Sequence, residues 1–386
     1  MLTALSSRYA KGIQPEVRAR ELGITIGEGQ PGPFNGITDV PGVRVGHTTL
    51  ISGAGPLRVG SGPVRTGVTV VLPHEGSVWD EPVFAAIHSL NGNGELTGSH
   101  WIRESGLLTS PIGLTNTQSV GVVRDSLASL EGRQRPNEDL FWGLPVVGET
   151  WDGYLNDIRG EHVRAEHVDH ALSTASAGPV EEGSVGGGTG MVCHGFKGGI
   201  GTASRVLPRE QGGYVVGVLV QANHGRRHRF TVNGVNVGAD IPTSEIPIPR
   251  EQLPSMAGGG SIIGLVGTNA PLIPTQCRRL AQRLGLGVAR MGGVGEHFSG
   301  DIFLGFATGN RGLTSGLGLP TSPSPLTHQV EMLDNSYITA LFDSAVEAME
   351  EAILNALLAS KTMVGRDGIT AYGLDPERLL KALSRR

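Results

Sequence analysis

The chain has little cysteine, no long apolar run and no excess of positive charge, and each shortage removes a class of protein. Only Cys193 and Cys277 occur among 386 residues, so there is neither a disulfide framework nor a paired-cysteine zinc spacing. No window approaches the roughly 20 apolar residues that cross a bilayer, and no membrane partner is expected. Residues 1–20 mix Arg8, Lys11, Glu16, Arg18 and Arg20 with short apolar runs. They lack the apolar core of a signal peptide, so a cytoplasmic location is expected. The net charge is -5 and the pI near 6.2. With no basic run, nucleic acid is not an expected partner either.

What is abundant is glycine, with 60 residues, about twice ordinary usage. The glycines are spread along the chain without a Gly-X-Y period, which excludes a collagen-like repeat and a single flexible linker. With 38% hydrophobic residues the length supports a large core. These features read as an α/β protein with many tight turns and close backbone approaches.

The apolar patterning predicts strands over 43–47, 68–72, 214–221, 261–268 and 301–308, and one ending at Gly148 that runs into Glu149, Trp151, Asp152 and Tyr154. Helices are predicted over 161–174, 274–290 and from the Asp334-Asn335-Ser336 cap to about 360, with a short one after Leu374. In the first helix Val163, His167 and Leu172 are expected on one side, with His162, His167 and His170 on a solvated face rather than around a metal. Residues 230–256 read as an accessible loop. The Asn91-Gly92-Asn93-Gly94-Glu95 and Thr115-Asn116-Thr117 clusters read as ordinary turn chemistry. The glycines of 183–190 lack the GxxxxGK[ST] phosphate-loop pattern and read as backbones packed closely in a sheet.

The stretch that could carry chemistry is Met256-Ala257-Gly258-Gly259-Gly260-Ser261-Ile262-Ile263. Three glycines lead into one serine at the mouth of an apolar strand, where a hydroxyl is expected to be exposed yet rigidly held. A serine nucleophile needs a base. His224, His297 and His328 lie in the same half of the chain, but the GxSxG elbow is absent. The other available base is the α-amine that Ser261 would gain if the bond before it were cut. Its ordinary pKa of about 7.7–8.0 suits general-base work.

Gly186-Gly187-Gly188-Thr189-Gly190-Met191, Phe196-Lys197-Gly198-Gly199-Ile200-Gly201-Thr202, Gly260-Ser261-Ile262-Ile263 and Ser299-Gly300-Asp301-Ile302-Phe303 together resemble the DmpA-like family of self-processing serine aminopeptidases. That family comprises L-aminopeptidase/D-amidase-esterases and β-peptidyl aminopeptidases. The resemblance runs over roughly residues 20–375. It implies a single αββα sandwich similar to, but topologically distinct from, N-terminal-nucleophile hydrolases. It also implies autoproteolysis between Gly260 and Ser261, into an α-chain 1–260 and a β-chain 261–386, and an assembly of four such heterodimers. Substrates would be small peptides, amides or esters, with no cofactor and no metal. The resemblance makes Ser261 the nucleophile, Asn223 the oxyanion donor, Ser299 and Asp301 the pair that orients the nucleophile and its amine, and Glu149 the carboxylate for the substrate's ammonium group. Trp151 stands where the L-aminopeptidase branch is expected to carry a tyrosine, and Tyr154 is the nearby aromatic that could take its place. Two other readings are an acyltransferase of the ornithine acetyltransferase type, whose nucleophile is threonine, and a glycine-rich binding protein that is never processed.

Overall fold

A computed structural model describes residues 17–138, 141–252, 260–315 and 325–385. The Met256–Gly259 half of the predicted cut-site motif lies outside these residues.

Two β-sheets lie face to face. The smaller holds β1 (Arg44–Ser52), β2 (Val64–Leu72), β5 (Ile112–Asn116) and β6 (Val146–Thr150), in that order. The larger has the order β4-β3-β10-β9-β8-β7, formed by β3 (Val83–Ser89), β4 (Leu107–Leu108), β7 (Gly199–Val206), β8 (Val215–Asn223), β9 (Gly260–Thr268) and β10 (Ser299–Ala307). The β9/β10 and β5/β6 pairs are parallel, and the other neighbours in both sheets are antiparallel. Strands buried on both faces read as continuous apolar runs rather than alternating ones. This is why β2, buried at every position, is legible as a strand.

Alternation along the large-sheet strands sorts their side chains between two cores. Ile262, Val266, Val218 and Val220 pack in a layer with Leu280, Leu284, Met349 and Ile353. These last four come from the long helices Pro274–Arg290 and Thr339–Ala359. Ile263, Leu265, Leu219, Ile302 and Leu304 instead meet Val45, Val71, Ile112 and Val146 of the smaller sheet. On the outer face of that sheet Val68, Val70 and Val147 pack against Val123, Leu127, Val168 and Ala171, from the helices Val120–Arg133 and Ala165–Ser173. Helix, sheet, sheet and helix are therefore stacked in that order, the αββα sandwich expected from the sequence. The long helix at 339–359 is also held by ion pairs: buried Arg205 reaches Glu347 at 3.0 Å and Glu351 at 2.8 Å.

The glycine cluster near 186 behaves as read. Gly186, Gly187 and Gly188 are buried, and a Cβ on Gly187 would lie 2.1 Å from Oε1 of Gln221.

Three expectations change. The helix predicted for 161–174 spans Ala165–Ser173, and it buries Val168 and Ala171 while His167 and Leu172 are only partly covered. His162 precedes it and bonds Asp157 at 2.9 Å. The described part of the expected 230–256 loop, residues 230–252, is not simply accessible. Phe230, Val232, Val237 and Ile241 enter the core under the helical layer, in a segment whose irregular turns give its apolar residues no readable period. The polar 91–95 cluster, finally, does more than turn the chain, as its hydrogen bonds show.

Candidate active site

The large sheet brings three segments together at one end. Asn223, the last residue of β8, lies directly across the antiparallel ladder from Ser261, so the two side chains share a face. On the other side of β9, the parallel ladder sets Gly260 beside Ser299 and Ile262 beside Asp301. Ser299 and Asp301 thus stand beside Gly260 and Ile262, on either side of the Ser261 position along the strand. Four of the residues named from the sequence stand within one turn of ladder, though they come from three separate strands.

Ser261 is 4% exposed, a correction to the expected exposed hydroxyl. It is the second residue of its strand and is already flanked on both sides, so the ladder covers it. Its Oγ accepts the Gly300 amide at 3.1 Å. Among the described residues no histidine hydrogen-bonds Ser261. His224 instead turns toward Cys193, with 3.7 Å between Nδ1 and Sγ.

The Asn223 side chain has one possible orientation. Its Oδ1 accepts the Val192 amide at 2.7 Å and its Nδ2 donates to the Trp151 carbonyl at 2.9 Å. A backbone donor on one side and a backbone acceptor on the other settle which atom is which. One amide hydrogen is used by Trp151, which leaves the second for a further acceptor. It is the Trp151 carbonyl that hydrogen-bonds the oxyanion candidate. β6 ends at Thr150, so strand alternation does not separate Trp151 from Tyr154. Their rings pack edge to face with centroids 4.9 Å apart.

Ser299 donates to Oδ1 of Asp301 at 2.5 Å. Burial pushes the Asp301 carboxyl up to about 6, opposed by the Ser299 hydroxyl, the Ile262 amide and the Asn91 side chain. The Asn91 loop holds this corner. Asn91 accepts the Asp301 amide at 2.6 Å and donates to the Glu296 carbonyl at 3.0 Å, and Asn93 donates to the Phe298 carbonyl at 2.8 Å.

Glu149 is 3% exposed, not a surface acid. It accepts the Glu95 amide at 3.0 Å and the Thr117 hydroxyl at 2.5 Å. Burial pushes its carboxyl upward, and those two donors draw it back. Gly94 packs between it and the Gly300 backbone beside Ser261: a Cβ there would lie 3.1 Å from Oε1 of Glu149 and 3.2 Å from Cα of Gly300. Asn116 and Asn156 clasp buried Asp152 behind them, at 2.9 and 3.1 Å. The 91–95 turn and Thr117 therefore position the candidate acid; Thr115 and Asn116, expected in a turn, are the last residues of β5.

A cleft of about 870 Å³ opens beside Gly260 and Asn223, with Tyr154, Val192, His224 and Arg226 among its lining residues.

Peptidase family S58 matches residues 35–371. A β-peptidyl aminopeptidase from Sphingosinicella microcystinivorans is 46% identical over 374 residues, covering 95% of this chain and 91% of that one. Among solved structures, a Burkholderia sp. β-aminopeptidase superposes with a TM-score of 0.86 at 52% identity, covering 95% of this chain and 98% of that one. The Ochrobactrum anthropi L-aminopeptidase D-Ala-esterase/amidase does so at 0.85 and 40% identity, with 95% and 98% covered. That enzyme is described as a prototype for the serine aminopeptidases and a new variant of the Ntn hydrolase fold.

The chain belongs to peptidase family S58, the serine aminopeptidases, and is a hydrolase. The acyltransferase and binding-protein readings give way to this family.

Proposed function

We propose that the chain is a self-cleaving aminopeptidase that removes N-terminal residues, β-aminoacyl residues foremost, from small peptides, amides and esters. In the first stage Oγ of Ser261 attacks the Gly260 carbonyl carbon. The Ser261 nitrogen leaves as a free α-amine, and water hydrolyses the resulting ester to leave Gly260 as a carboxylate. In the second stage that amine takes the proton from its own hydroxyl, and the hydroxyl attacks the substrate carbonyl. The developing oxyanion accepts the second amide hydrogen of Asn223. The leaving amine departs, and water hydrolyses the acyl-enzyme. A donor preorganised in this way typically contributes 10²–10³ in rate.

The observation that carries this reading is the cross-strand pairing of Asn223 with Ser261, next to the Ser299–Asp301 couple. Among the described residues Ser261 has no histidine hydrogen-bond partner, which favours the amine as base. Glu149 supplies the selectivity for a free N-terminus: a buried carboxylate raised by desolvation regains a counter-charge when a substrate ammonium docks. The β-aminoacyl preference rests on the similarity to β-aminopeptidases at 46% and 52% identity. A panel of L-, D- and β-aminoacyl p-nitroanilides tests it. The expected result is highest kcat/KM on the β-aminoacyl members and none on N-acetylated ones; equal turnover of blocked and free substrates contradicts it.

A further inference from the structure

Beneath the cleft floor lies a group of side chains that the proposed reaction does not use. Cys193, His194 and His224 each offer a ligand atom, and these atoms lie within 4.8 Å of one another. Cys193 and His194 are fully buried and His224 is 4% exposed. Nε2 of His194 and Nε2 of His224 are buried without a hydrogen-bond partner. For His194, whose Nε2 is available to ligate, this carries a desolvation penalty that a metal would remove; His224 would ligate through Nδ1, which faces the Cys193 sulfur, and its Nε2 plays no part in the site.

The geometry suits a thiophilic divalent ion. A tetrahedral zinc, with bonds of about 2.3 Å to sulfur and 2.0–2.1 Å to nitrogen, holds the two atoms roughly 3.5 Å apart. Sγ of Cys193 and Nδ1 of His224 stand 3.7 Å apart. Nδ1 of His194 faces the Arg226 carbonyl at 3.4 Å. A ligating histidine commonly turns its other nitrogen to a backbone carbonyl in this way, which leaves Nε2 for the metal. Residues 193 and 194 come from the short hairpin of Val192–Cys193 and Phe196–Lys197 ahead of β7, and residue 224 directly follows β8, so no sequence spacing links them. His224 also lines the cleft, which provides a path of entry and a side from which water can complete the coordination.

We propose that Cys193, His194 and His224 form an inhibitory site for one zinc-class ion. On binding, the thiol proton leaves to solvent and a thiolate–metal bond forms. His224 is then drawn toward the sulfur. It follows Asn223 directly in the chain, so the oxyanion donor is displaced and turnover falls. This inhibitory half rests on the role proposed for Asn223; metal binding itself does not.

Titration of the purified protein with Co²⁺ under reducing conditions separates the two. One Co²⁺ per chain is expected, with a thiolate-to-cobalt charge-transfer band that Zn²⁺ abolishes by displacement. Cys193→Ser should remove the band. His194→Asn, chosen because asparagine tolerates the left-handed backbone at this position (φ 49°), should weaken binding by more than the roughly 10- to 100-fold loss typical of an outer-shell partner. Absence of a band, or a band that survives Cys193→Ser and so reports Cys277, overturns the site. Zn²⁺ should lower wild-type turnover and a chelator restore it. A protein that binds the ion at this site with undiminished turnover overturns the inhibitory half alone.

Discussion

Replacing Asn223 by alanine separates the fold's demands on this residue from those of the chemistry. Two backbone groups lose their partner, the Val192 amide at 2.7 Å and the Trp151 carbonyl at 2.9 Å. Each group left without a bond costs about 1–3 kcal/mol unless water replaces the amide. The variant should therefore remain folded but melt earlier. The second amide hydrogen acts only in the transition state, and its loss should lower kcat by about 10²–10³, equivalent to about 3–4 kcal/mol. KM should change little, because the ground-state carbonyl gains less from this donor than the oxyanion does. The assay is β-aminoacyl p-nitroanilide hydrolysis per mole of cut chain, with self-cleavage followed on a denaturing gel. Asn223→Asp keeps the acceptor for Val192 while placing an acid against the oxyanion, so it should be slower still. If the folded, cut alanine variant retains kcat within about threefold of wild type, Asn223 is not the oxyanion donor.

Three further outcomes follow from the same corner. Glu149→Gln, measured by steady-state kinetics, should raise KM at least about tenfold for free-amine substrates, in line with the loss of one charged contact of about 1.5–3 kcal/mol. Gly260→Ala should slow self-cleavage, read as the uncut fraction over time, because the new Cβ would sit 3.0 Å from the Asn223 carbonyl and 3.3 Å from Cα of His224. Self-cleavage should also fade as pH drops through about 6, where Asp301 gains a proton and becomes a poorer acceptor for Ser299. Because the folded-state value is raised above the ordinary 3.8, acidification through this window favours the folded state as far as Asp301 is concerned. A calorimetric melt at each pH then distinguishes loss of processing from unfolding, and Asp301→Asn should remove the pH step.

The parts of this site that were legible in the sequence are those with local signatures. Apolar runs marked β8, β9 and β10, and the glycines before 261 singled out Ser261, whereas Asn223, Ser299 and Asp301 were named from the family resemblance alone. Burial was less legible. Ser261 looks exposed because it adjoins a loop, yet its ladder neighbours cover it, and Glu149 is held by the Glu95 amide and the Thr117 hydroxyl. A turn's composition reports its backbone preference but not what its side chains reach. The same reason hid Cys193 and His224, which are brought together where the His194 amide bonds the His224 carbonyl at 2.7 Å. The core position of Phe230 and Val237 was hidden because an irregular segment has no period to read.

The central claim is that Ser261 frees its own amine and then uses it. Intact-mass measurement and N-terminal sequencing of the purified protein test it most directly. Wild type should give two chains, one of them residues 261–386 starting Ser-Ile-Ile, while Ser261→Ala should remain one chain without aminopeptidase activity. A wild-type protein that hydrolyses aminoacyl amides while still a single uncut chain would contradict it.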